Sequence, residues 1–276
     1  MRLLICEVRK LRHSLVMALM IIVTIGLTLL LILSGTSVQL YMVAGPGLDS
    51  ALPEKVGGTI GFISNAIDSA RVGDSVLRTV FSYTVFWIPI SIFFSASFYS
   101  MDFRTHSIQV SKAHGISIVK IILAKSISLI SIQSLLYCLY CICTVYVKAI
   151  QFGVDWQALN FNLFFSVVVT NLLLMGVLSS EAILLFTLFQ NSFFCVIALF
   201  VYHACVLCLY PNSFARFPET LGVGRLFYQS SPVYYLMNSC SLSFEYVSLT
   251  TSLCYGSIMM VILITSAILI AKYFKE

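Results

Sequence analysis

The sequence predicts an all-α polytopic membrane protein with six transmembrane helices. Of its 276 residues, 59% are hydrophobic and only 10% are charged, and the mean hydropathy is +0.98. Soluble domains carry about 25% charged residues, so this chain has too few polar side chains to cover a soluble globule. Its longest apolar stretches match the roughly 20 residues that a helix needs to cross the hydrocarbon core. The composition therefore excludes a soluble enzyme, a nucleic-acid-binding domain and a disordered protein.

The predicted spans fill the chain as a single transmembrane domain, residues 1–276, without room for a soluble domain. The first span, about 14–34, is uncharged and too long for the apolar region of a signal peptide. No A-x-A-like cleavage site follows it, so it is predicted to be retained. The other predicted spans cover about 79–99, 126–147, 161–189, 193–210 and 251–271.

The distribution of lysine and arginine predicts that both termini are cytoplasmic. With the N-terminus inside, ten of the 16 basic residues lie in cytoplasmic segments, although the outside segments are longer in total. An excess of basic residues marks the cytoplasmic side of a membrane protein. The ten are Arg2, Arg9, Lys10, Arg12, Arg104, Lys112, Lys120, Lys125, Lys272 and Lys275.

Residues 1–13 are predicted to form an amphipathic helix that lies in the membrane interface. Leu4, Val8, Leu11 and Leu15 fall on one helical stripe, and the basic residues fall largely elsewhere. An ordinary basic flank that sets topology is the other interpretation. At the opposite end of the chain, the loop 211–250 is rich in apolar residues. We expect short outer-leaflet helices there before the last span, because loose backbone is poorly tolerated at membrane depth.

Two ionisable residues lie deep in predicted spans, which makes them candidates for function. Glu181 is about nine residues from the polar break at Gln190, and His203 is about as far from it on the next span, which is roughly 14–15 Å for each. Antiparallel neighbours at the same depth would lower each other's desolvation cost, so contact between Glu181 and His203 is a hypothesis. Cys138, Cys141 and Cys143 are interpreted as packing residues, and no catalytic, cofactor or metal site is predicted.

The cytoplasmic loop Ser100 to Lys125 carries a resemblance to a known family. Its order of residues resembles the permease subunits of type-2 ABC exporters, in which an acidic residue and Gly-Thr precede a short coupling helix. Asp102 and Thr105 match the acidic residue and the threonine, whereas Arg104 stands where glycine is usual. Ser117 and Lys125 match the serine of the following turn and the lysine that opens the third span, while Ile118 replaces the usual arginine.

Other segments of the chain also resemble segments of the same family, and they occur in the same order along the sequence. The N-terminal helix looks like its interfacial elbow, and the loop before the last span looks like its outer re-entrant helices. Ser231-Pro232 with Tyr235 resembles its Ser-Pro-x-x-Tyr stretch. The resemblance is to the small six-span permeases of antimicrobial-peptide or antibiotic export and immunity systems in the bacterial cell membrane.

The resemblance implies an ATP-driven exporter in which this chain forms half of the pathway for a peptide, antibiotic or lipid. A second permease, either another copy or a homologue, would complete the pathway. The sequence has no G-x-x-x-x-G-K-[ST] motif, so a dimer of separate cytoplasmic ATPase subunits would bind ATP and magnesium. The candidates for coupling to these subunits are Asp102, Arg104, Thr105, Ile108 and Lys112.

Two other classes remain open from the residues. A secondary transporter or membrane sensor would work without an ATPase. Secondary transporters often have interrupted helices at matching positions in both halves, but the interruptions at Gly26, Pro89, Gly176 and Gly256 form no evident pair. An intramembrane enzyme needs a clustered Cys/His, Ser/Lys or carboxylate set at one membrane depth, and only Glu181 and His203 approach this.

Overall fold

The computed structural model describes residues 2–33, 72–104, 110–111, 113–216, 229–240 and 248–273. All regular secondary structure within these ranges is helical. The helices are α1 (Arg2–Arg12), α2 (Leu15–Leu33), α3 (Val72–Ser82), α4 (Trp87–Arg104), α5 (Ile118–Gln151), α6 (Phe161–Phe189), α7 (Ser192–Arg216), α8 (Pro232–Cys240) and α9 (Leu249–Tyr273). Short 3-10 turns occupy Tyr83–Phe86 and Trp156–Ala158.

Within the described ranges, five helical segments are long and apolar enough to cross a membrane. They are Leu15–Leu33, Thr79–Met101, Ile118–Gln151, Phe161–Phe189 and Leu249–Tyr273. The predicted fifth span, 193–210, lies in α7, whose stretch Ser192–Val206 is apolar but shorter. These segments indicate a membrane protein, and the sixth span remains a prediction.

Helix α6 is the centre of the bundle and contacts α4, α5, α7, α8 and α9. The closest of these neighbours is α9, because small residues stand at the crossing. A methyl group on Gly256 would lie 3.2 Å from Cβ of Leu173, and one on Gly176 would lie 3.0 Å from Sδ of Met260. Small residues let transmembrane helices approach closely, and this packing drives their association in lipid.

A second contact region joins α3 and α4 to α5 through large aromatic rings. Trp87 is fully buried, with its ring centroid 5.3 Å from that of Tyr137 and 5.9 Å from that of Tyr140. The Tyr140 hydroxyl donates to the Val80 carbonyl at 2.9 Å, which supplies a partner where the chain passes from α3 into a 3-10 turn. The second predicted span is thus the last part of α3, the 3-10 turn Tyr83–Phe86 and most of α4.

Helix α1 forms where the N-terminal amphipathic helix is predicted, and it packs on α5. Leu11 is fully buried, but Val8 is 39% exposed and Leu15 is 76% exposed. Of the predicted apolar stripe, Leu11 therefore packs inside the bundle, whereas Val8 and Leu15 lie on its outer surface. Glu7 is buried and accepts a 3.0 Å hydrogen bond from Nζ of Lys10, whose side chain is 42% exposed, so the ion pair lies at the edge of the packed face.

Candidate functional site

The candidate site is built on the tight connection between α6 and α7. Gln190 ends α6 in the left-handed conformation with φ of 55°, and its N–H donates to the Phe186 carbonyl. Asn191 then caps α7, because its Oδ1 accepts from the backbone N–H groups of Phe193 and Phe194. This short connection makes the two helices antiparallel neighbours, so residues at similar distances from Gln190 face each other.

Glu181 and His203 meet across this helix pair. Oε2 of Glu181 lies 2.9 Å from Nε2 of His203, and the two side chains are 13% and 1% exposed. An ionised carboxylate only accepts, so with Glu181 ionised the donor in this bond is Nε2–H of His203. The other ring nitrogen, Nδ1, lies 3.3 Å from the Ser231 hydroxyl.

Ser231 connects the pair to α8. It is fully buried and immediately precedes Pro232, the first residue of α8, where proline's missing N–H and fixed φ suit a helix start. Its Oγ also accepts from the Val233 N–H at 3.3 Å. The sequence reasoning selected Ser231 only through the Ser-Pro-x-x-Tyr resemblance, because its contact with His203 depends on where α8 packs.

Helix α8 runs along α6 from the middle of the span toward one end. Its N-terminus lies beside His203 through Ser231, and near its C-terminus Ser239 donates to Oδ1 of Asn171 at 2.5 Å. Asn171 and Glu181 are separated by roughly 15 Å along α6. A short helix, α8, thus precedes α9 in the chain, with Pro232 to Ser239 all buried; the outer-leaflet position predicted for such helices remains a prediction. The rest of that predicted loop helix region, 217–228 and 241–247, lies outside the described residues.

Three further side chains surround the pair on its more exposed side. The Tyr202 hydroxyl lies 3.2 Å from Oγ of Ser230, and the Tyr255 hydroxyl donates to the Ser230 carbonyl. Tyr255 also stacks on Tyr235, with ring centroids 3.9 Å apart. Glu181 is close enough to Tyr202 and Tyr255 to act on both electrostatically.

A second polar cluster lies toward the other end of α8. Nδ2 of Asn171 donates to the Tyr137 hydroxyl at 2.9 Å, and this hydroxyl is 3.0 Å from Oγ1 of Thr84. Together with Ser239, these groups join the 3-10 turn after α3 to α5, α6 and α8. All four side chains are buried. Buried polar groups in a bundle stabilise it only when they are satisfied, and here each has a partner.

Gln133 forms a third connection, between the two clusters. Its Oε1 accepts from the Ser179 hydroxyl at 2.6 Å, and its Nε2 lies 3.4 Å from the Ser91 carbonyl and 3.5 Å from Oγ of Ser95. It therefore joins α4, α5 and α6. Sequence reasoning missed Gln133, Tyr137 and Asn171, although polar residues within apolar spans were the signal available.

The predicted coupling residues lie in the last turn of α4 or follow it in the sequence. Asp102 and Arg104 belong to the last turn of α4, and nothing is described of their side chains. Thr105, Ile108 and Lys112 lie outside the described residues. The structure thus brings together Glu181 and His203, and the coupling candidates remain predictions.

The Glu181–His203–Ser231 arrangement can hold and relay a proton between a carboxylate, an imidazole and a hydroxyl. It contains the residue types of a nucleophile with its base. Ser231, however, is fully buried, and its Oγ accepts from the Val233 N–H, so the hydroxyl is not exposed to a substrate in this conformation. The geometry therefore favours a binding or proton-holding role over nucleophilic attack.

Comparisons with known proteins give no family for this chain: no family model, no curated protein and no solved structure matches it.

Proposed function

We propose that this chain is the membrane-spanning permease subunit of an ATP-driven ABC exporter. The observation that carries the proposal is α8, a buried helix that starts beside Glu181 and His203 and precedes the last span. Interrupted structure at membrane depth is tolerated where protein or water satisfies the backbone, as along a pathway. The position of α8 also agrees with the re-entrant helices of the family that the sequence resembles.

In the proposed assembly, six spans of this chain form half of a translocation pathway. A second copy or a homologous permease forms the other half, and both termini face the cytoplasm from the cell membrane. Two cytoplasmic ATPase subunits bind ATP and magnesium and carry out hydrolysis, so this chain is not itself an enzyme. ATP-driven closure of the ATPases reaches the spans through the loop containing Asp102, Arg104, Thr105, Ile108 and Lys112.

The proposed cargo is a hydrophobic or amphipathic molecule, either a peptide, an antibiotic or a lipid, which gives the protein an export or immunity role. Affinity purification of the tagged chain from its native membranes, in mild detergent, tests the proposal. We expect a Walker-motif ATPase to co-purify and the preparation to hydrolyse ATP in a vanadate-sensitive manner. Recovery of the folded chain without any ATPase would contradict the proposal.

The contact between Glu181 and His203 specifically favours a second candidate, a proton-coupled secondary transporter. Glutamate and histidine within spans recur in the proton relays of transporters, and a 2.9 Å separation is short enough for a proton to pass between these two groups. The purified chain in proteoliposomes with pyranine inside distinguishes the two. A secondary transporter moves protons with its cargo in the absence of ATPase, whereas an ABC permease alone does not.

A further inference from the structure

Glu181 is a carboxylate in a candidate span with few polar partners. Its Oε2 lies 2.9 Å from Nε2 of His203, and Nδ1 of the same ring lies 3.3 Å from Oγ of Ser231. Among the described residues, His203 is the one basic side chain in ion-pair contact with Glu181. Acidic side chains within spans are costly and mark substrate or ion pathways, so the accessible part of this carboxylate is a candidate ligand contact.

The carboxylate is accessible on one side only. The imidazole is 1% exposed and closes the inner side, whereas the Glu181 side chain retains 13% exposure. Tyr202 and Tyr255 are partly exposed and lie close enough for Glu181 to act on both electrostatically. Ser230, which is hydrogen-bonded to both hydroxyls, is exposed.

The two rings are held in place through their hydroxyl groups. Both hydroxyls are bonded to Ser230, one to its Oγ and the other to its carbonyl. One face of the Tyr255 ring is covered by Tyr235. Fixed aromatic rings next to a carboxylate match the chemistry that recognises alkylated ammonium groups, which aromatic faces attract through their quadrupole.

We propose that Glu181, Tyr202 and Tyr255 form a subsite for the positively charged ammonium group of an amphipathic cargo. The carboxylate neutralises the charge, the rings contact the alkyl substituents, and the apolar part of the cargo extends along the spans. This inference rests on the proposed transport function, and it specifies further that the cargo is positively charged. It applies whether an ATPase or a proton gradient drives transport.

Equilibrium binding to the full-length chain in lipid nanodiscs tests the subsite without any turnover. The probe is tritiated tetraphenylphosphonium, a lipophilic cation, and binding to protein-free nanodiscs is subtracted. We expect saturable binding that dodecyltrimethylammonium displaces and that neutral dodecanol, at the same concentration, does not. Absence of saturable binding, or equal displacement by dodecanol, would overturn the proposal.

Two substitutions separate the carboxylate from the rings. Glu181→Gln keeps the side-chain volume and should weaken probe binding about tenfold or more, the loss expected for about 1.4 kcal/mol. Asp155→Asn neutralises an exposed carboxylate on the α5–α6 connection and should leave binding unchanged. Unchanged affinity in a folded Glu181→Gln chain would overturn the proposal, and if that variant does not fold, the displacement experiment with the unmodified chain decides.

The ring contribution is tested at Tyr255. Tyr255→Phe keeps the aromatic face and should bind the probe within about threefold of the unmodified chain, whereas Tyr255→Leu should lose roughly three- to tenfold, as expected for a cation–π contact. Equal affinity of these two variants would remove Tyr255 from the subsite. Probe binding and ATPase co-purification are separate measurements. If an ATPase co-purifies but the probe does not bind, the cation subsite alone is rejected. If the probe binds but no ATPase co-purifies, the exporter proposal alone is rejected.

Discussion

Asn171 on α6 and Ser239 on α8 are joined by a 2.5 Å hydrogen bond, and both side chains are fully or almost fully buried. Asn171 also donates to the Tyr137 hydroxyl at 2.9 Å. One amide on α6 therefore bonds both to α8 and to α5. This anchors the end of α8 that lies opposite to Glu181 and His203.

Replacement of Asn171 by leucine should destabilise the protein. The change preserves the side-chain size but removes the hydrogen bonds of Asn171 to Tyr137 and Ser239, at about 0.5–1.5 kcal/mol each. Tyr137 keeps its contact with Thr84, and Ser239 keeps its bond to the Leu236 carbonyl. The measurement is the free energy of unfolding in mixed micelles titrated with dodecyl sulfate. Ser166→Ala is the matched control, because Ser166 is exposed and its hydroxyl bonds only to the carbonyl of its own helix at Asn162. Equal stability of the two variants would show that Asn171 does not anchor α8.

Because Glu181 and His203 are in contact, the effects of replacing them on the free energy of unfolding should be non-additive. In a double-mutant cycle with Glu181→Gln and His203→Gln, the coupling free energy should be roughly 0.5–3 kcal/mol, as for residues in contact. The same unfolding titration measures it. A second cycle that pairs Glu181→Gln with Ser166→Ala should be additive, since no contact joins these residues. Additivity in both cycles would mean that Glu181 and His203 face different surroundings.

A pair of glycines tests the packing of α3 against the turn before α6. A methyl group at Gly73 would collide with the carbonyl oxygen of Ala158, whereas one at Gly26 would meet nothing within 4 Å. Gly73→Ala should therefore lower the stability by about 1–3 kcal/mol, the usual cost of overpacking. Gly26→Ala should leave it unchanged or raise it, because alanine favours the helix by up to about 1 kcal/mol. Thermal unfolding followed by circular dichroism provides the comparison, and a harmless Gly73→Ala would contradict this packing.

The positions of the long helices could be predicted from the sequence because the length of an uninterrupted apolar stretch determines where a span lies. The fourth predicted span and α6 share the same limits, Phe161–Phe189. The third was predicted as 126–147, but α5 extends over Ile118–Gln151, since polar residues at the ends of a long helix do not interrupt it. The pairing of Glu181 with His203 was foreseeable, because the break at Gln190 fixed the depth of both.

The contacts made by α8 were not foreseeable from the sequence. Ser231 and Ser239 lie in a stretch without the length of a span, and their partners come from α7 and α6. Gln133 lies on α5 and Ser179 on α6, and the loop that joins these helices separates the two residues in the sequence. Such pairs depend on the rotation of each helix, which apolar composition does not specify.

The predicted topology is tested by labelling single cysteines with an impermeant maleimide in a cysteine-free chain. Lys112→Cys should be labelled only after the membrane is opened, whereas Glu54→Cys and Glu219→Cys should be labelled in intact cells. These positions lie in the predicted cytoplasmic loop and in the two long outside loops. A cytoplasmic Glu219 would contradict six spans, because it requires one span more or fewer between the third and the last.

The most direct test of the central claim, that this chain is an exporter permease, is ATPase coupling at Ile108. ATP hydrolysis is measured on complexes purified through the tagged chain from native membranes, with Thr250→Asp, on the exposed first turn of α9, as the control on the predicted opposite side. Ile108→Asp places a charge where an apolar residue is predicted to enter an ATPase cleft. We predict that Ile108→Asp loses the co-purified, vanadate-sensitive activity while still inserting and folding, and that Thr250→Asp retains it. Full ATPase recovery with Ile108→Asp, or no ATPase with the unmodified chain, would contradict the account.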